Sequence, residues 1–264
     1  MLRSLTRSLT PLAGVKIYDY MRRFEHIGFS RRVALAKALS SRRRKQLVTS
    51  GIELLPPRLR GKMEYVIDVG ANAGQFLTSF LSVLDAEEID AFEPNPDVYG
   101  KLQKTIRSSR LEGKVRLHNV ALGSETGSLE LNVTSDSDFS SLLTPKSELE
   151  RRFGEPVGVV KRIAVPVKRL DDCAKSKPVD LLKIDVQGFE RQVIAGATQL
   201  LSRTKAILME VSFKHYYEGD SHFTDIERLL SDQHDFRLYN FSDPWRDADY
   251  SLGQADAMFL SSKV

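Results

Sequence analysis

An aspartate followed by a loop of small residues is the first part of this sequence that could do chemistry. Asp68 closes the apolar run YVIDV, and GANAG follows, with Gly70, Asn72 and Gly74 where a chain can turn tightly. A dinucleotide site has the spacing G-x-G-x-x-G, but Asn72 and Gln75 occupy the second and third of those positions here. No Gly-Lys-Ser/Thr triplet follows, which excludes a Walker phosphate loop.

A second acid completes the pattern. The acid at Asp68 would repel a pyrophosphate, and it could instead lie near an ammonium or sulfonium cation. Glu93, in AFEPNP, lies 19 positions beyond Gly74 and could accept two hydrogen bonds from a ribose diol. S-adenosylmethionine carries all three groups, so the two acids and the turn between them indicate a class I methyltransferase. The alternative is a generic tight turn with a capping aspartate.

Three more residues could take part in chemistry further along the chain. Asp185 ends the apolar run VDLLKIDV, Glu210 lies near the end of another such run, and His215 follows it. Asp185 could be a general base, a substrate anchor or a metal ligand. Together the three could bind Mg²⁺, which would lower the pKa of a substrate hydroxyl. The alternative is that Glu210 pairs with a basic neighbour and His215 lies in a surface loop.

The elements that must position these residues alternate between strand and helix. This alternation predicts an α/β fold with a mostly parallel sheet covered on both faces. The last two strands have no helix between them and could form an antiparallel hairpin at the edge. The predicted strands are Tyr65–Val69, Ile89–Phe92, Val115–Leu122, Val179–Val186, Ala206–Phe213, Phe236–Phe241 and Ala257–Ser261, and the predicted helices are Gln75–Leu84, Pro96–Ser108, Gly188–Leu201 and Phe223–Gln233.

One region departs from the alternation. GSLELNV is a candidate added strand, and residues 135–162 form a polar insertion that is long for a loop without function. The insertion could fold over the cofactor or the acceptor, or it could be a surface excursion. Tyr216, Tyr217 and Trp245 are candidates for stacking on a sugar face.

Four motifs in order carry a resemblance to a known family. VIDVGANAGQF, AFEPNP, NVALG and LLKIDVQGFE resemble the FkbM-type S-adenosylmethionine-dependent methyltransferases. The resemblance runs from about Tyr65 to the C-terminus. It implies a Rossmann-like class I fold, with a seven-stranded, mostly parallel sheet that ends in an antiparallel hairpin. It also implies methyl transfer, typically to a hydroxyl of a sugar or other polar metabolite.

The resemblance also implies a set of cofactor-binding residues. Carried over by position, they run from the methionine end through the ribose to the adenine. They are Asp68, Gly70, Ala71, Asn72, Gly74 and Gln75; then Glu93; then Pro94, Asn95, Asn119, Val120 and Ala121, with Asp185 beside the cofactor.

Length and composition predict one core with an attached basic segment. The chain has 264 residues, of which 41% are hydrophobic, and a formal net charge of +4. Residues 1–62 hold 15 Lys/Arg and 3 Asp/Glu, or +12, whereas the remainder holds 24 and 32, or −8. We therefore expect a helical N-terminal extension over 1–62 and a methyltransferase domain over 63–264. The single cysteine, Cys173, excludes an intrachain disulfide and fits a reducing, cytoplasmic compartment.

The basic extension leaves several interpretations open. We favour a helical cap or an arm for a homodimer; an anionic membrane surface, nucleic acid and an organelle transit peptide are the alternatives. The leading functional hypothesis is O-methylation of a small-molecule or glycan hydroxyl. An RNA-binding methyltransferase that uses the extension, and a catalytically silent cofactor-binding or scaffold protein, are the other two.

Overall fold

A computed structural model describes residues 51–149, 157–247 and 249–264 of the chain. It contains two sheets and six α-helices that lie entirely within those ranges. The strands are β1 Lys62–Val69, β2 Asp85–Phe92, β3 Val115–His118, β4 Ala121–Leu122, β5 Gly127–Thr134, β6 Val159–Lys168, β7 Leu181–Ile184, β8 Ala206–Ser212, β9 Phe236–Phe241, β10 Trp245–Arg246 and β11 Leu252–Ser261. The helices are α1 Gln75–Val83, α2 Pro96–Ser108, α3 Leu170–Cys173, α4 Glu190–Ala195, α5 Thr198–Leu201 and α6 Phe223–His234, with 3-10 turns at Ile52–Leu54, Pro57–Leu59 and Ser137–Phe139.

The main sheet has eight strands and is mostly parallel. Its order is β10-β11-β8-β7-β1-β2-β3, and β9 also pairs with β11. Strands β3, β2, β1, β7 and β8 run parallel, and β11 is antiparallel to both β8 and β9. The predicted α/β fold and the antiparallel hairpin of the last two predicted strands are therefore confirmed. The predicted count of seven differs by the two-residue strand β10.

Apolar side chains pack on both faces of this sheet. In β1 the side chains alternate, so that Val66 packs on the face covered by α1 and α2, and Ile67 on the face covered by α4 to α6. Both faces of the sheet are covered by packed side chains, which explains why the central strands are almost continuously apolar. Residues Ile52 and Leu55, just before β1, are buried against the α1 face.

One predicted strand is two strands in separate sheets. The prediction ran from Val115 to Leu122, but β3 ends at His118 and β4 begins at Ala121. The break occurs because the Asn119 amide turns back and donates hydrogen bonds to the carbonyl oxygens of Glu93 and Pro94, at 2.8 and 3.1 Å. This contact directs the chain out of the main sheet.

The predicted helix Gly188–Leu201 is two short helices, α4 and α5. Gly196 separates them, and a Cβ there would lie 2.0 Å from the carbonyl oxygen of Gly123. The Asp171 carboxylate, from a distant part of the sequence, accepts hydrogen bonds from the backbone N–H groups of Gln199 and Leu200. The second helix therefore has its own N-terminal cap, which local periodicity does not reveal.

A three-stranded sheet of order β4-β6-β5 accounts for most of the region that departs from the alternation. GSLELNV forms β5, as the sequence indicated. Its antiparallel partner β6 begins at Val159, within the segment predicted as a polar insertion. The prediction of an insertion over 135–162 is therefore too long at its C-terminal end.

Predictions for residues 1–50, including the helices of the basic extension, lie outside the described residues. The extension's proposed roles at a dimer interface, a membrane surface or a nucleic acid therefore stay predictions. Among the helices that the structure describes, no helix combines the length and the apolar character that crossing a membrane requires.

Candidate active site

A cleft lies at the carboxyl ends of β1, β2, β7 and β8, where ligands bind in open α/β sheets. Its volume is about 500 Å³, within the usual range for a small-molecule site. Of the predicted cofactor and catalytic residues, Gly70, Ala71, Asn72, Gln75, Glu93, Pro94, Asn95, Val120, Ala121, Asp185 and Glu210 line the cleft. Asp68, Gly74, Asn119 and His215 are not part of its lining.

The loop after β1 joins the two halves of the cleft. Gly70 has φ 79, and its N–H and that of Ala71 donate to the carbonyl oxygen of Phe92 at the end of β2. A Cβ on Gly70 would lie 1.8 Å from the carbonyl oxygen of Asp185, which follows β7. Only glycine allows these two backbone segments to approach this closely. The loop is therefore fixed against β2 on one side and β7 on the other.

The side chain of Glu93 holds the loop after β1 from the side of β2. Its carboxylate accepts hydrogen bonds from the backbone N–H groups of Asn72 at 3.0 Å and Asn95 at 2.8 Å. Burial raises the pKa of Glu93 to about 7, although those two hydrogen bonds act in the opposite direction. A carboxylate has about four acceptor positions, so two remain for hydroxyl groups in the cleft. The geometry fits the expected contact with a ribose diol.

Asn119 has a positioning role in this structure. Both of its hydrogen bonds, described above, go to the backbone of Glu93 and Pro94. It therefore supports the segment that carries Glu93. The residues after it, Val120 to Leu122, line the cleft together with Val98 and Leu131, and they offer an apolar slot for a flat ring.

A buried lysine, Lys183, lies under the loop and was not singled out from the sequence. Its Nζ lies 3.5 Å from Asp68 Oδ1 and 3.2 Å from Asp185 Oδ2, above the ring of Phe76. Burial lowers the pKa of Lys183, but the two carboxylates outweigh it and the pKa lies above its ordinary value. A lone lysine within the apolar run LLKI was the available signal, because a buried charge requires partners.

Asp68 is fully buried beside this lysine. Neither of its carboxyl oxygens receives a hydrogen bond in the part of the chain that the structure describes. Burial raises the pKa of Asp68 to about 6, and Lys183 acts against that rise. The cation that the structure places next to Asp68 is therefore the Lys183 ammonium, which also reaches the cleft through Asp185.

A network of amides and carboxylates forms the other wall of the cleft. The Gln187 amide donates to Asp185 Oδ1 at 2.9 Å and to Glu210 Oε2 at 3.2 Å. The Gln254 amide, from β11, donates to the same Glu210 oxygen at 2.8 Å. Gln187 has φ 53, within the turn between β7 and α4. The sequence motif KIDVQGFE contained Gln187, but Gln254 comes from β11, which no motif marked.

The turn that carries Gln187 is held by Glu190. Glu190 Oε1 accepts hydrogen bonds from the backbone N–H groups of Val186 and Gly188, at 3.2 and 3.1 Å. Burial raises the pKa of Glu190 to about 7. Its side chain caps the turn and lies outside the cleft lining.

Residues 137–142 cover the cleft, and we call this segment the lid. The lid residue Asp138 accepts a hydrogen bond from the Asn72 amide at 2.7 Å. Ser141 Oγ donates to the carbonyl oxygen of Gln187 at 2.7 Å, and the Tyr217 hydroxyl donates to the carbonyl oxygen of Phe139 at 3.2 Å. The lid therefore contacts both the loop after β1 and the turn that carries Gln187.

Two of the three aromatic residues predicted to stack on a sugar have another role. Tyr216 and Tyr217 are fully buried and pack beneath the lid with Leu149 and Val157. Trp245, from β10, does line the cleft and is 36% exposed. Only Trp245 of the three is therefore placed to contact an acceptor.

The predicted grouping of Asp185, Glu210 and His215 into a Mg²⁺ site is wrong. His215 Nδ1 lies 2.6 Å from Asp220 Oδ1, in a loop outside the cleft lining. Across the described ranges of the chain, no group of three or more His, Cys, Asp or Glu side chains is arranged to hold a metal ion. Asp185 and Glu210 do meet, but their shared partner is the Gln187 amide.

Comparisons with known proteins identify the family. The sequence model described as "Methyltransferase FkbM domain" matches residues 68–238. The 2-O-methyltransferase NoeI of Sinorhizobium fredii is 30% identical over 179 residues, which is 62% of this chain and 70% of that protein. The 31-O-demethyl-FK506 methyltransferase FkbM of Streptomyces tacrolimicus is 27% identical over 217 residues, which is 74% of this chain and 78% of that protein.

A solved structure supports the fold. The structure of a methyltransferase FkbM from Methylobacillus flagellatus KT aligns with a TM-score of 0.50 and 16% identity. The alignment covers 91% of this chain and 57% of that chain, so this protein spans little more than half of the solved one. With the matched domain, the loop after β1 and the acid after β2 in place, the chain belongs to the FkbM family of S-adenosylmethionine-dependent methyltransferases.

Proposed function

We propose that this protein methylates a hydroxyl group on a sugar, a glycan or a related polar metabolite. The names of the two curated relatives support O-methylation, since each of them is an O-methyltransferase by name. The acceptor side of the cleft supports a polar, hydroxyl-bearing molecule, as argued below.

The polar wall of the cleft is the observation that carries this proposal. Gln187, Glu210 and Gln254 present amide and carboxylate groups to the cleft, and such groups pair with the donors and acceptors of hydroxyls. Trp245 adds an exposed aromatic ring at the same wall. This combination suits a molecule that has an apolar face and several hydroxyl groups.

The charge of the cleft argues against an anionic acceptor. Among the described residues that line it, Lys183 is the only basic one, and it is paired with Asp68 and Asp185. Glu210 and Asp256 add further acidic groups to the wall. A phosphate or uronate would meet this negative wall without a cation to pair with. A neutral acceptor avoids this electrostatic repulsion.

The opposite half of the cleft has the groups needed for the cofactor. Glu93 would bind the ribose, the apolar slot near Val120 would take the adenine, and the backbone from Gly70 to Asn72 would hold the methionine end. When bound, S-adenosylmethionine supplies a methyl group on a sulfonium centre that needs no further activation. The remaining tasks of the protein are to align the hydroxyl and to accept its proton.

The chain's own residues can perform the alignment. Gln187 is held on both sides, because its amide nitrogen donates to Asp185 and Glu210, and its carbonyl oxygen accepts from the Tyr217 hydroxyl at 3.1 Å. Lys183 holds Asp185 in place through an ion pair of 3.2 Å. These residues therefore form a rigid polar surface beside the cofactor half, which favours a fixed orientation of the acceptor.

A labelled methyl-transfer assay tests the proposal. Neutral methyl glycosides, their uronate counterparts and RNA are offered with methyl-labelled S-adenosylmethionine, and label is expected in a neutral glycoside. Gln187→Ala should lower kcat/KM by about tenfold or more, the equivalent of losing one or two hydrogen bonds. The matched control is Gln103→Ala, since Gln103 is exposed on α2 and away from the cleft.

Three outcomes would overturn the proposal. Label incorporated only into RNA would favour the RNA-directed alternative, and label in uronates but not in neutral glycosides would contradict the charge argument. Failure of both S-adenosylmethionine and S-adenosylhomocysteine to bind, measured by calorimetry, would favour a catalytically silent protein.

A further inference from the structure

Three carboxylates lie along the polar wall of the cleft. Asp185 follows β7, Glu210 lies in β8, and Asp256 lies in β11 directly opposite Glu210 in the antiparallel register. Directly opposed residues of an antiparallel pair place their side chains on the same face of the sheet. All three residues line the cleft. The reaction needs one proton acceptor, so their hydrogen-bond partners decide which of them can serve.

Two of the three carboxylates are already engaged by donors. Asp185 has Lys183 at 3.2 Å from one oxygen and the Gln187 amide at 2.9 Å from the other. Glu210 accepts from the amides of Gln187 and Gln254 at a single oxygen. Donors of this kind occupy carboxylate lone pairs that an acceptor hydroxyl would otherwise use. Asp185 and Glu210 therefore suit orientation better than proton transfer.

Asp256 differs from both. Its backbone N–H and carbonyl oxygen pair with Ser242, yet its carboxyl group accepts no hydrogen bond and forms no ion pair with any residue that the structure describes. The side chain is half-buried at the cleft lining, so water replaces those partners only in part. A carboxyl group with unused acceptor positions at a ligand cleft is available to accept a hydrogen bond from a ligand hydroxyl.

The surroundings of Asp256 favour proton uptake. Burial, together with the charges of Asp185 and Glu53, raises the pKa of Asp256 to about 8, although Lys183 acts in the opposite direction. Glu210, which faces it across the strand pair, is a further acidic neighbour. A general base works best when its pKa lies near the working pH. A sulfonium cation bound nearby would lower the pKa and ionise the carboxyl when the cofactor arrives.

We propose that Asp256 is the group that faces the transferred methyl and takes the proton from the acceptor hydroxyl. This inference rests on the proposed methyl transfer. In the step, the hydroxyl oxygen forms a bond to the methyl carbon while the bond between that carbon and sulfur breaks. The electron pair of the broken bond passes to sulfur, and the hydroxyl proton passes to a carboxylate oxygen of Asp256. Charge and atoms balance without another reactant.

Calorimetry with two ligands tests this assignment without an acceptor. S-adenosylmethionine carries the sulfonium charge and S-adenosylhomocysteine does not. Titrations near pH 7.5 in buffers of different ionisation enthalpy measure the protons released on binding. The wild-type protein should release roughly half a proton more with S-adenosylmethionine than with S-adenosylhomocysteine, through ionisation of Asp256. In Asp256→Asn that additional release should disappear.

A control variant separates this effect from a general change in the site. Asp243→Asn changes an exposed aspartate in the loop before β10, and it should leave the proton release unchanged. Retained affinity for S-adenosylhomocysteine shows that each variant is folded around its cleft.

A kinetic measurement then tests the proton transfer itself. For any neutral methyl glycoside that the wild type methylates, Asp256→Asn should lower kcat about a hundredfold or more and remove the rise of kcat/KM with pH. Its affinity for S-adenosylhomocysteine, which carries no sulfonium charge, should change little. Equal additional proton release in wild type and Asp256→Asn would overturn the assignment of Asp256, and so would a variant with wild-type turnover. Either result leaves the proposed methyl transfer standing, whereas absence of cofactor binding would overturn the proposed function.

Discussion

Replacing Gly70 by alanine tests how tightly the two halves of the cleft are joined. Alanine at φ 79 costs about 1–2 kcal/mol of backbone strain. Its Cβ would also lie 1.8 Å from the carbonyl oxygen of Asp185, so one of two backbone segments has to move by more than 1 Å. Overpacking of this kind costs about 1–3 kcal/mol. We therefore expect Gly70→Ala to lower the free energy of unfolding by about 2–5 kcal/mol in total.

Gly74→Ala is the matched control, because Gly74 has φ 90 and the same backbone strain. The nearest atoms to its added Cβ are side-chain ends, at 3.1 Å in Leu102 and 3.2 Å in Thr105, and these can move aside. Its loss of unfolding free energy should therefore be only about 1–2 kcal/mol. Urea unfolding gives both free energies. Calorimetry with S-adenosylhomocysteine shows whether the cofactor half survives.

The two variants together test whether the contact between Gly70 and Asp185 joins the two halves of the cleft. If the contact between Gly70 and Asp185 joins the two halves, Gly70→Ala should also weaken binding of S-adenosylhomocysteine, since Glu93 holds Asn72 in the same loop. Equal losses of stability in the two variants would refute the reasoning from the close backbone approach. Wild-type affinity in Gly70→Ala would refute the claim that this contact positions the loop.

Three further outcomes are expected. Burial raises the pKa of Glu93 from 4.5 to about 7, so its contribution to stability is complete below pH 4.5 and is lost as the pH rises through 7. Because Asp68, Glu190 and Asp256 also have raised pKa values, urea unfolding compares the wild type with Glu93→Gln: between pH 5 and 8 the wild type should lose on the order of 3 kcal/mol more unfolding free energy than the variant, and equal losses would contradict this. Asp185→Ala should bind the cofactor and lose at least about a hundredfold in turnover, measured by methyl transfer, and full activity would remove Asp185 from the site. Tyr217→Phe removes the one hydroxyl hydrogen that Phe139 of the lid and Gln187 share as acceptors, and it should lower the free energy of unfolding by about 1–2 kcal/mol. An unchanged urea midpoint would mean that this shared hydrogen bond contributes nothing.

Features that depend on neighbouring residues could be predicted from the sequence. The alternation of strands and helices predicted the parallel sheet, and the small residues after Asp68 predicted the loop geometry, including the left-handed Asn72. Helix α2 was predicted with its observed bounds, because Asn95 and Pro96 give a clear start: the Asn95 side chain accepts from the Asp97 N–H. In each case the cause lies within a few residues.

Features that depend on distant residues were missed. Asp256 becomes a site residue only because β11 pairs with β8 in one particular register, and a shift by one residue would place it on the opposite face. Gln254 reaches Glu210 across 44 positions of sequence. Strand β6 was overlooked because VVKRIAVPVK mixes lysine, arginine and a proline with its apolar residues, which local patterns read as a loop. His215 was overvalued because its sequence distance from Glu210 is short.

The lid's hydrogen bonds have a consequence for the order of events in turnover. The lid is hydrogen-bonded to Asn72 on the cofactor side, and to Gln187 and Tyr217 on the acceptor side. If each bond contributes about 1 kcal/mol, opening costs on the order of 3 kcal/mol and the closed form prevails by roughly a hundredfold. Opening of the lid therefore exposes both the cofactor half and the acceptor half of the cleft. Entry of the cofactor and departure of the methylated product should share a single slow motion, and weakening any one of the three bonds should accelerate both.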